Sequence, residues 1–330
     1  MRVRTVLGGI VGTVGTAVLG NRFLKRRADE FEHQLPGLER TYRWRGMEVS
    51  YTVAGDPNDD DLLLLHGIHA GASNYEFEPV IELLAENYRV VAVDLPGFGR
   101  SERPPLVYSA GLYAEFIRDF AADVTDEPIV IASSLTGAFA VDAAEESEFE
   151  HLVLIGPTGE TGGSRPWLRS LIRSPVVGTT LFNLLASKPS IRYFYDRDGY
   201  YNPDRIDDDE VDYAWTSAHQ PGARYAPASF AAGTLDPDFD LQTELAALET
   251  PTTLVWGRDA ELVPLREGRT LADAADRDLV VIDYATQLPH AEHPEKFVEY
   301  LTTELLEGNL GVDSEAGSDS GIGSDSDLEA

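Results

Sequence analysis

Short apolar runs alternate with amphipathic stretches along most of this chain, and the alternation predicts an architecture. A hairpin is expected from Tyr42–Trp44 and Met47–Val53, turning at Gly46. Leu62–His66 is an apolar run ending in His-Gly, and the helically spaced Phe77–Glu86 leads to a strand at Arg89–Asp94. Helix Leu112–Val124 leads to Ile129–Ser133, and helix Leu135–Glu146 leads to Leu152–Ile155. Later come strand Thr252–Trp256, helix Leu265–Ala275, strand Leu279–Ile282 and helix Pro294–Leu306. Such βαβ units build a largely parallel sheet covered on both faces, so the class is α/β.

Residues 161–235 break the alternation with prolines, arginines and aromatics, among them Trp167, Phe182, Tyr193, Phe194, Tyr195, Tyr213, Trp215 and Phe230. A structureless loop of that length inside a compact domain is unusual, so a helical insertion is expected. Its rings could line an apolar pocket or pack the insertion onto the core; the pattern leaves both open. The division is therefore 1–30 as an N-terminal apolar segment, 40–160 with 236–306 as the core, 161–235 as the insertion, and 307–330 as a tail.

The ends differ from the middle. Arg2 and Arg4 precede the uncharged run Thr5–Gly20, and Arg22, Lys25, Arg26 and Arg27 follow it. The run is short of the roughly 20 residues that span a bilayer; an uncleaved anchor with the body on the cytoplasmic side, giving membrane association through residues 5–20, is expected ahead of a soluble flexible or packed N-terminus or a signal peptide. From Glu307 onward Gly, Ser, Asp and Glu dominate, a composition too polar to offset ordering entropy, so an acidic disordered tail is expected.

Charge narrows the partners. Against 57 acidic residues stand 26 basic ones, a formal charge of −31. Acidic positions occur along nearly the whole length, which suits a surface adapted to high salt, where screening lengths are short. The same charge argues against nucleic acid as a partner. There is no cysteine, so disulfides and thiolate chemistry are excluded. No phosphate loop, metal-ligand spacing or dinucleotide fingerprint is present, so neither a cofactor nor a metal is expected.

Four blocks carry chemistry. His66-Gly67-Ile68 follows a strand; Asp94-Leu95-Pro96-Gly97-Phe98-Gly99-Arg100-Ser101 follows another; Ala132-Ser133-Ser134-Leu135-Thr136-Gly137 lies between strand and helix; and Gln287 precedes Leu288-Pro289-His290-Ala291-Glu292-His293-Pro294. Together with Trp256-Gly257-Arg258-Asp259-Ala260-Glu261-Leu262-Val263-Pro264 they resemble, in order, the blocks of the α/β-hydrolase superfamily. That resemblance implies an α/β-hydrolase fold whose insertion forms a helical cap. It places Ser134 at the nucleophile position, with the N–H groups of Ile68 and Leu135 as oxyanion donors. His66 reads as structural and the Asp-x-Pro-Gly block as fold-supporting. Ala132 and Thr136 stand where the elbow usually has glycine, and a β-branched Thr136 is expected to loosen or re-route the turn.

The same resemblance exposes two departures. The base position holds Gln287 rather than histidine, and the acid position holds Ala260. Substitute bases are His290, His69 or His219; substitute orienting acids are Asp259 or Glu160. Two functions follow. One is a serine-type hydrolase of small apolar esters acting through Ser134 with an unorthodox base. The other is a catalytically impaired member that binds a small apolar ligand or a protein without turnover. A serine at the elbow argues against dehalogenase chemistry, where a carboxylate attacks.

Overall fold

The computed structural model describes residues 16, 18–28, 31–32, 34–161 and 163–310. Most of the run Thr5–Gly20 and the acidic tail beyond 310 therefore lie outside the described residues. No helix among the described residues is long and apolar enough to cross a membrane.

Eight strands form one sheet: β1 (Leu38–Trp44), β2 (Met47–Ala54), β3 (Asp61–Leu65), β4 (Arg89–Val93), β5 (Ile129–Ser133), β6 (His151–Ile155), β7 (Thr252–Gly257) and β8 (Asp278–Ile282). Their order is β1-β2-β4-β3-β5-β6-β7-β8. The hairpin β1–β2 is antiparallel and β2 pairs antiparallel with β4, while every pairing from β4 to β8 is parallel.

The parallel strands read as continuous apolar runs because successive side chains enter two different cores. Leu63, Leu65, Val130, Ala132, Leu152 and Leu154 face one side, where helices α2 (Ala110–Val124) and α3 (Thr136–Ala144) pack. Leu62, Leu64, Ile129, Ile131, Val153 and Ile155 face the other with Phe77, Leu84, Phe297 and Leu301. Those last four belong to a 3₁₀ turn at Asn74–Phe77, to α1 (Glu78–Leu84) and to the C-terminal helix Pro294–Leu310. The stretch expected as one helix from Phe77 thus starts as a 3₁₀ turn, and the α-helix proper begins at Glu78. Pro79 in its first turn sets that start, having no N–H to leave orphaned.

Between β6 and β7 the chain forms α4 (Pro166–Arg173), α5 (Val177–Leu185), α6 (Lys188–Phe194), a π-helical turn (Tyr195–Gly199), α7 (Asp208–Ala218), α8 (Tyr225–Ala231) and α9 (Leu241–Ala247). Helical residues 18–27 dock on this layer: the Asn21 amide donates to Thr180 Oγ1 at 3.1 Å and accepts from Asn183 at 3.0 Å. Leu24 packs beside Ile191 and Trp215. The described residues end with α10 (Leu265–Ala275), α11 (Pro289–Glu292) and α12 (Pro294–Leu310).

Candidate active site

Ser134 connects β5 to α3 with φ of +55°. A non-glycine residue in that region costs on the order of 1–3 kcal/mol and persists only when its neighbours enforce it. They do: its N–H donates to the Ile155 carbonyl at 2.8 Å, and its own carbonyl accepts from Gly137 N–H at 3.0 Å. Thr136 does not loosen the turn, contrary to the sequence expectation. Its buried hydroxyl donates to the His66 carbonyl at 2.7 Å, tying the elbow to the loop after β3. The need for a small residue has moved to Gly137, where a Cβ would stand 3.0 Å from Pro157 Cβ.

The loop after β3 is fixed by His66. Its Nδ1 donates to Gly67 O at 2.7 Å, and Nε2 accepts the Leu95 N–H at 3.1 Å. Burial pushes its pKa down to about 3, so the ring is neutral and serves as a brace. Asp94 braces the next loop: its carboxylate accepts the N–H groups of Asn74 at 2.8 Å and Arg100 at 2.9 Å, and burial pushes it up to about 6. Gly99 passes at φ of +50°, so close that a side chain would overlap that carboxylate.

Above the elbow lies a cavity of about 490 Å³. Ile68, Leu135, Ser133, Ser134 and Gln287 line it from the sheet side; Phe194, Tyr195, Tyr213 and Phe230 line it from the inserted helices. The aromatics of the insertion thus divide: these face the cavity, while Phe182, Tyr200 and Trp215 pack between helices and Trp167 and Tyr193 are exposed. The backbone amides of Ile68 and Leu135 donate no hydrogen bond among the described residues.

Gln287 is buried in the cavity wall with its Oε1 unpartnered. Its Nε2 lies against Gly156, where a Cβ would be 2.9 Å away. Gly156 follows Ile155, the residue that accepts the Ser134 N–H, so Gln287 and Ser134 flank the same end of β6. Ala260 sits in a small apolar cluster with Trp256, Val263 and Leu265. The loop bearing Gln287 is anchored by buried Glu292, which accepts Thr286 N–H at 2.8 Å and Tyr201 N–H at 2.7 Å, joining it to the insertion.

The proposed substitutes fall elsewhere. His290 is fully buried outside the cavity wall, between Phe77 and Phe297, and desolvation pushes it down to about 3. Pro289 opens α11 and turns the ring into the core, with Nε2 3.5 Å from Glu76 Oε1. Asp259 is exposed and does not line the cavity. His219 is stacked 4.4 Å from Trp215, also off the wall. His69 does line the cavity, 5.8 Å from Phe194, but burial pushes it down to about 4. Glu160 is an exposed residue at the rim.

Two wall residues escaped the sequence reading. Glu76, on the 3₁₀ turn, accepts Gly67 N–H at 2.9 Å and the Ser133 hydroxyl, and its Oε1 has no hydrogen-bond partner among the described residues. Burial pushes it up to about 7 against those stabilising bonds. Glu210, on α7, accepts from Tyr200 Oη at 2.9 Å and from Tyr195; burial, with a contribution from the charge of Glu76, pushes it up to about 7. Neither belongs to a motif, and only the tertiary fold brings them to one wall.

This eight-stranded sheet, elbow and overlying helical layer define the α/β-hydrolase class, and the chain belongs to the alpha/beta hydrolase family, whose model matches residues 62–300. It is 27% identical over 273 residues to the 2-hydroxy-6-oxo-6-(2'-aminophenyl)hexa-2,4-dienoic acid hydrolase of Metapseudomonas resinovorans, a match covering 79% of this chain and 88% of the relative. To the pimeloyl-(acyl-carrier protein) methyl ester esterase of Aeromonas hydrophila subsp. hydrophila it is 29% identical over 262 residues, covering 77% of this chain and 98% of that one. Its fold is similar to that of the 2-hydroxy-6-oxo-6-phenylhexa-2,4-dienoate hydrolase from Rhodococcus sp. strain RHA1, with a TM-score of 0.67 at 22% identity over 83% of this chain and 100% of that one.

Proposed function

We propose that this chain holds a small, largely apolar ligand in the cavity over Ser134 and turns esters over slowly or not at all. Gln287 carries the reading. An amide takes up no proton at neutral pH, and a serine hydroxyl needs an adjacent base to attack a carbonyl. His69, on the same wall, is stacked on Phe194, and burial pushes it down to about 4, which makes it a poor acceptor for the serine proton. The relatives are named for a dienoic acid and for a methyl ester. With no lysine or arginine among the described residues of the wall, the cavity suits the uncharged ester better than the free acid.

Glu76 favours a second reading. A carboxylate near 7, hydrogen-bonded to Ser133 beside the elbow, could accept the Ser134 proton through Ser133 as the oxygen bonds to the ester carbon. The proton would then pass to the departing alkoxide. A fluorophosphonate probe, read by intact mass in high-salt buffer, separates the two. The first reading expects wild type to stay unlabelled. Stoichiometric labelling of Ser134 would overturn it, and loss of that label in Glu76→Gln would establish the second.

A further inference from the structure

The cavity has a charge pattern that its apolar character conceals. Glu76 comes from the 3₁₀ turn after β3 and the half-buried Glu210 from α7, so the sheet side and the insertion each contribute one carboxyl to the same wall. The Glu76 side chain is 7% exposed, with Oε2 accepting the Gly67 N–H at 2.9 Å and Oε1 lying 3.5 Å from His290 Nε2. No lysine or arginine is among the described residues lining the cavity. Rings of Tyr75, Phe194, Tyr195 and Tyr213 make up much of the remaining wall.

We propose that the cavity takes a cationic amphiphile, a protonated amine on an apolar body about the size of a phenylalkyl group, with its ammonium against Glu76 and Glu210. This rests on the ligand-holding reading above and deepens it by naming the ligand's charge. A buried carboxylate without a counter-ion is costly, and a neighbouring one makes it costlier. An ammonium offsets the charge of both, carries three N–H donors and is attracted to aromatic faces. A carboxylate ligand would add a third negative charge to the same wall.

Among the described residues no lysine or arginine lines the cavity to balance the pair. Glu76 meets Ser133, the Gly67 N–H and His290, a histidine held neutral by burial. Glu210 meets Tyr195 and Tyr200 and feels the negative charges of Glu76 and Asp207. His69 is neutral for the same reason as His290, and Glu160 and Glu267 add negative charge at the rim. Desolvation pushes both carboxyls up to about 7. A cation binds their ionised form, so its affinity rises as pH rises through that value and binding releases protons. A neutral ligand of the same shape has no such dependence.

Calorimetric titration of the full chain in high-salt buffer with 4-phenylbutylamine, 4-phenylbutan-1-ol and 4-phenylbutanoate tests this. The expected result is the amine binding at least about tenfold more tightly than the alcohol above pH 7, with the carboxylate weakest. That advantage should shrink on acidification and fall to about twofold in Glu76→Gln or Glu210→Gln. Wild-type selectivity and its pH dependence stand as a test even if a variant fails to fold. Equal or tighter binding of the alcohol overturns the inference while leaving the ligand-holding reading intact, and absence of binding by all three overturns both. If the surface change Glu249→Gln erodes the advantage as much as Glu76→Gln does, the overall charge of the molecule is responsible and the inference fails.

Discussion

Burial makes a carboxyl hold its proton to higher pH, and Glu210 shows what that does to stability. Its pKa is raised from the ordinary value near 4.5 to about 7, so the folded state binds more protons than the unfolded state between those values. Its contribution to stability is fully present below about pH 4.5 and is lost as pH rises through about 7. His66, His69 and His290 act in the opposite sense, because burial lowers their pKa values and costs stability as pH falls below about 6.5. The raw pH profile therefore mixes the two. Urea titrations of wild type and Glu210→Gln side by side isolate the glutamate. The difference should move against wild type by on the order of 2 kcal/mol between pH 5 and pH 8. A constant difference would mean that Glu210 ionises freely in the folded protein.

At the scale of elements, the elbow depends on contacts from outside its own strand and helix. Thr136→Ala removes the buried bond to the His66 carbonyl and leaves that acceptor unsatisfied, so it should cost about 1–3 kcal/mol in chemical denaturation. Thr136→Ser should recover most of it. Gly99→Ala should cost more, about 3 kcal/mol or above, because it adds a positive-φ side chain overlapping the Asp94 carboxylate. The strands were legible in the sequence because a parallel sheet buried on both faces leaves unbroken apolar runs such as Leu62–Leu65 and Ile129–Ser133. The tight strand-to-helix turn at Ser134 was legible from its context, and the place of Gln287 beside it on the cavity wall from the block around it. The direction of His290 was not, since a helix advances about 100° per residue and the start of α11 decides which way the ring points. Glu76 and Glu210 were invisible for another reason: each is an isolated glutamate whose meaning comes from a partner distant in sequence.

Considered whole, the molecule carries a formal charge of −31. At low ionic strength that charge opposes compaction, and at about 1 M salt a Debye length near 3 Å removes most of the opposition. Thermal midpoints should therefore climb with added KCl, and a flat response would count against a high-salt surface. Residues 18–28 are held to the insertion through Asn21, Leu24 and Ala28, the last also accepting from the Gln220 amide. Removing 1–27 should thus lower the midpoint modestly and, if residues 5–20 hold the protein to a bilayer, release it from liposomes. The scaffold itself is kept throughout: sheet, strand-to-helix turn and cavity are in place, and the proposal is that Gln287 and Ala260 occupy its base and acid positions. The measurement that tests this separation of scaffold from chemistry is p-nitrophenyl butyrate hydrolysis by wild type, Ser134→Ala, and the double variant Gln287→His with Ala260→Asp. Oxyanion donors and binding alone leave a floor of roughly 10³–10⁴-fold over water, and triad members act as a unit. Wild type and Ser134→Ala should lie together near that floor, with the double variant well above both. Efficient wild-type turnover that Ser134→Ala abolishes would contradict the account.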